Sequence, residues 1–64
     1  MKTNQTRFVR PAEYERAVYI KRTWMLTAIE LTAMNEIEAN YIAGERVEYC
    51  FFDTLRELID KYGL

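Results

Sequence analysis

The sequence predicts an all-α fold, in which a long helix and a shorter one form a helical hairpin, and two hairpins pair into an assembly like a four-helix bundle. Three observations predict it. No Gly or Pro occurs from Ala12 to Ala43, and apolar residues recur there at helical spacings. The third is size: a chain of 64 residues makes one domain that hides only about 60% of its unfolded surface, so a small fold of this kind needs further support. Cys50 is the sole cysteine and there is no histidine, which excludes an intrachain disulfide and argues against a zinc site. Self-association is the support that remains.

The elements follow in order. Residues 1–10 are expected to form a flexible basic arm, in which Arg7, Phe8, Val9 and Arg10 read as a short extended piece, because the position before a proline is biased away from helix. Residues 11–64 then make the helical hairpin domain. Pro11 suits a first helical turn, and Glu13 and Glu15 favour the positive end of the helix dipole. From Ala12 to Ala43 the pattern reads as one helix. Ala17, Ile20, Trp24, Thr27, Leu31, Met34, Glu38 and Tyr41 alternate spacings of three and four, a heptad seam that packs against another helix. Leu26, Ile29, Ala33 and Ile37 fall well away from that seam as a second apolar strip. Between Trp24 and Met34 only Glu30 is charged. A helix apolar on two sides needs cover on two sides.

Gly44 is placed to end the long helix in a left-handed conformation. Val47, Phe51, Leu55, Leu58 and Tyr62, widened by Phe52 and Ile59, form the stripe of a second helix closed by Gly63. That shorter helix shields one face of the longer one, which leaves the other for a second copy. Trp24, Leu26, Ile29, Leu31, Ile37 and Phe51 are the residues expected in the self-association core.

An alternative is a small β-α-β-α dimer. Arg46–Phe52 is rich in β-branched and aromatic residues, and Thr54 with Glu57 matches a capping box that would start the last helix only there. Phe8 and Val9 would pair with the 47–52 segment. A two-stranded sheet is barely stable alone, so this version also calls for dimerisation.

Chemistry is thinly represented. Nucleophilic catalysis normally wants a positioned base, most often histidine, so no enzyme activity, cofactor or metal is expected. Cys50 reads as a small buried hydrophobe. Glu38 and Glu48 lie near the Gly44 turn, but an oxygen-only cage of so few carboxylates is a poor cation site. Tyr19 and Tyr49 point away from the apolar stripes, where an aromatic ring suggests recognition.

Charge is divided along the chain. Met1–Thr23 carries six basic residues and two acidic ones; Trp24–Leu64 carries eight acidic and three basic, for an overall net charge of −1. Lys2, Arg7 and Arg10, continued by Arg16, Lys21 and Arg22, suit phosphates or an acidic protein. A ribbon-helix-helix layout is disfavoured because its first helix is far shorter than Ala12–Ala43. No apolar signal region follows Lys2, and the apolar run around Trp24 falls short of the ~20 residues of a membrane span. With the lone cysteine, this predicts a cytoplasmic setting.

The expected function is non-enzymatic: a small regulatory or inhibitory protein that binds another protein through surfaces organised by homodimerisation, with Arg7, Arg10, Tyr19 and Tyr49 on the partner side. Its size would fit an accessory gene of a phage or plasmid. The alternative is a nucleic-acid-binding transcriptional regulator using the basic arm.

Overall fold

Two helices occupy the stretch expected to hold one. The computed structural model describes residues 5–64, in the order β1 (Thr6–Phe8), α1 (Pro11–Thr23), α2 (Ala28–Ala43), β2 (Arg46–Glu48) and α3 (Tyr49–Tyr62). The fold is mostly helical with a small two-stranded sheet, which corrects the all-α expectation.

The helix breaks between Thr23 and Ala28 for a local reason. Trp24 leaves α1 with extended backbone, φ −119° and ψ 153°. Thr27 then caps α2: its Oγ1 accepts from Glu30 N–H at 3.2 Å, and Glu30 Oε1 accepts from Thr27 N–H at 2.9 Å. This reciprocal box satisfies two amide groups that a new helix start would otherwise leave unpaired. The break lets α1 fold back antiparallel on α2. Tyr14 stacks on Tyr41 with ring centroids 4.5 Å apart, and Lys21 reaches Asn35 Oδ1 at 2.9 Å and pairs with Glu38.

Consequently α2 is covered on two sides within one chain. The core takes Val9, Ala17, Ile20, Ala33, Met34, Ile37, Val47, Phe52, Leu55 and Leu58. Met34 comes from the heptad seam, Ala33 and Ile37 from the second strip, and all three are buried. The two-sided apolar pattern holds, but α1 supplies cover that the sequence assigns to a second copy.

Gly44 and Gly63 end α2 and α3 as expected, with φ of 73° and 70°. At the first, Glu45 N–H returns to Asn40 C=O at 2.8 Å, tying off a helix-end carbonyl. The last helix begins at Tyr49, earlier than the Thr54–Glu57 box suggests. Thr54 Oγ1 is spent inside α3 as a donor to Cys50 C=O at 3.2 Å.

A strand pair is present, but not the one the alternative reading placed: Phe8 pairs with Arg46, Val9 lies beyond β1, residues 49–52 are helical, and there are three helices. β1 and β2 run antiparallel with Thr6 opposite Glu48, Arg7 opposite Val47 and Phe8 opposite Arg46. Residues 5–10 are thus built into the fold rather than forming a free arm; residues 1–4 lie outside the described residues. Among the described residues no helix is long and apolar enough to cross a membrane.

Candidate interaction surface

The sheet is locked onto the helices by one arginine. In the alternation of β1, Arg7 faces inward beside buried Val47, while Thr6 and Phe8 face out. Its guanidinium makes a two-pronged contact with Glu13, Nη1 to Oε1 at 2.9 Å and Nη2 to Oε2 at 2.5 Å. The same group lies over the Phe52 ring of α3, 3.6 Å from the centroid. Glu13 also accepts from Arg10 N–H at 2.9 Å and so caps α1. The Arg7 hydrogen bonds hold the Glu13 carboxyl below its ordinary range against the opposing effect of burial, and the Arg10 amide adds to this. Arg7 is correspondingly held more firmly protonated by its bond to Glu13.

This geometry separates the four residues expected on the partner side. Arg7 is consumed by internal contacts. Arg10 is exposed at the start of α1, and Tyr49 is exposed with its ring edge on Phe52 at 6.5 Å. Tyr19 lies nine positions beyond Arg10, about 13 Å along the helix. There its ring meets Trp24 edge-on at 5.7 Å, and Trp24 stacks on Tyr62 at 4.1 Å. Tyr19 and Tyr49 therefore each have an aromatic neighbour in the fold, which the helical stripes alone do not reveal.

The expected self-association residues also divide. Ile37 is 0% exposed in the chain's own core. Trp24, Leu26 and Phe51 are partly buried against that core. Ile29 and Leu31 remain exposed, Ile29 at 78%. Ile29, Ala28 and Thr32 of α2 line a shallow cleft with Phe51 of α3, and Met25, at 98% exposure, precedes it in the connection between α1 and α2. The sequence gives no sign of this exposure of Met25, because it reads there as a mid-helix residue. Phe8 belongs to the expected arm but not as an exposed ring on a sheet face, where it is 55% exposed.

Cys50 is exposed, not buried as expected, because the helix starting at Tyr49 turns it outward. Glu38 is bound to Lys21, and no cluster of potential metal ligands occurs among the described residues. No protein family, curated protein or solved structure matches this chain.

Proposed function

We propose that the chain is a small non-enzymatic regulatory or inhibitory protein that binds another protein, with its surfaces organised by homodimerisation. The observation that carries this reading is the cleft lined by Ala28, Ile29, Thr32 and Phe51, with Ile29 left 78% exposed by the chain's own elements. Exposed apolar residues grouped beside a cleft mark interaction surfaces more often than isolated ones do. Phe51 offers the partly buried aromatic anchor around which binding energy concentrates.

The test is affinity capture from the native host with the wild-type chain and with Ile29→Asp. That side chain is solvent-facing, so the substitution leaves folding intact. One specific protein retained by the wild type and lost by the variant supports the reading; capture that ignores the substitution, or that yields nothing, overturns it.

A further inference from the structure

Backbone pairing determines which hydrogen-bonding groups of the sheet are already used. In an antiparallel ladder, positions that exchange both backbone bonds alternate with positions that exchange none. Tyr49 N–H donates to Gln5 C=O at 3.0 Å, one pair outward from Thr6 and Glu48. Arg7 and Val47 are then the next bonded pair. It follows that Thr6 and Phe8 turn their backbone groups to the outer edge of β1, and Arg46 and Glu48 turn theirs to the outer edge of β2.

The two edges are treated differently. On β1 both outward carbonyls are occupied: Arg46 Nη2 donates to Thr6 C=O at 2.9 Å, and Arg7 Nη1 to Phe8 C=O at 3.1 Å. Charged side chains laid on an edge in this way keep other strands off it. On β2 the outward N–H groups of Arg46 and Glu48 and the Arg46 carbonyl have no such cover among the described residues. Arg46 is exposed and Glu48 half-buried.

We propose that two copies of the chain pair antiparallel along the open edge of β2, about a two-fold axis at Val47, and so extend the sheet to four strands. This rests on the reading that the protein acts as a homodimer. Charge complementarity selects the occupant. The two-fold operation sets Arg46 opposite Glu48 of the second copy and Glu48 opposite its Arg46, so both cross-strand pairs attract. The same operation on β1 would set Arg7 against Arg7. In the single chain Arg46 lies across β1, giving Nε and Nη2 to Thr6; pairing turns its guanidinium from Thr6 to the facing carboxylate. Val47 stays on the buried side of the sheet, and the cleft of Ile29 and Phe51 remains free for a different protein.

Charge reversal tests the register. Arg46→Glu alone sets a second carboxylate opposite Glu48 in the variant's own homodimer, and Glu48→Arg alone sets a second guanidinium opposite Arg46. Each is expected to weaken self-association about tenfold in analytical ultracentrifugation, with two repulsive pairs replacing two attractive ones. Mixing the two variants restores both pairs in a heterodimer, which is expected to regain wild-type affinity. Circular dichroism of each variant checks that the monomer still folds. A wild-type dimer indifferent to both reversals, or a mixture with no heterodimer, overturns the edge pairing and leaves homodimerisation standing. A wild-type chain that stays monomeric at millimolar concentration overturns both.

Discussion

Two stretches of this chain share one motif and use it in opposite ways. Thr27 and Glu30 start α2 as a reciprocal cap, whereas Thr54 and Glu57, with the same Thr-x-x-Glu spacing, lie inside α3. The difference lies in what flanks them. Before Thr27 the chain leaves the helix at Trp24, and breaking the helix there lets Ile20 and Ile37 meet in one core. Before Thr54, Phe52 is buried and belongs to the same apolar stripe as Leu55 and Leu58, so a break at Thr54 would interrupt a continuous packed face. A cap sequence therefore offers a helix start, and tertiary burial decides whether it is taken.

The largest effect that tests this contrast is geometric. An unbroken helix would hold residues 14 and 41 about 40 Å apart, whereas Tyr14 and Tyr41 stack with centroids 4.5 Å apart. With Cys50→Ser removing the exposed native thiol, a Tyr14→Cys, Tyr41→Cys pair should be readily joined by a short thiol crosslinker; failure to react would restore the continuous helix. Next in size is Ile37→Ala, which removes a fully buried side chain where α2 meets the rest of the core. It should cost about 2–5 kcal/mol in urea unfolding, and a loss well under 1 kcal/mol would mean that α2 is not the centre of the core.

The capping contrast itself calls for smaller numbers. Thr27→Ala should cost about 1 kcal/mol, while Thr54→Ala should stay within about 0.5 kcal/mol, since it loses only a bond to Cys50 C=O within the helix. Equal costs at the two sites would erase the distinction. The third cap, at Glu13, is read by acid. Its carboxyl titrates lower in the folded chain than its ordinary value of 4.5, so its contribution to stability is present above that pH and is lost as pH falls through the folded value. Glu13→Gln should flatten that part of the acid unfolding curve, and an unchanged curve would show that Arg7 does not hold it.

Much of the helical layout is legible in the sequence because helix ends are local. Gly44 and Gly63 end helices as read, and Pro11 begins one. The apolar periodicity of α2 also survives, since Ala33, Met34 and Ile37 are all buried. The break at Thr27 is written in the same code as the false start at Thr54, but choosing between them requires knowing that α1 packs on α2. The strand pair is visible only as an alternative, because three-residue strands carry too little pattern to outweigh neighbouring helix formers. Arg7 shows why the candidate site is harder to read. An arginine in a basic segment looks the same whether it waits for a phosphate or grips a glutamate six residues on, and only the backbone of β1 turns it inward. Met25 and Ile29 reach the surface for a reason equally hidden in the sequence, the corner between α1 and α2.

The sheet joins Thr6 to Arg46, forty positions apart in the chain. Bringing such distant positions together costs loop-closure entropy that nearer contacts do not. α1 and α2 meet over shorter separations, fourteen positions from Lys21 to Asn35, so the helical pair is expected to assemble while β1 waits. The last event of folding would then be the closing of the N-terminal segment onto β2, when the arginine clasp on Glu13 and Phe52 forms.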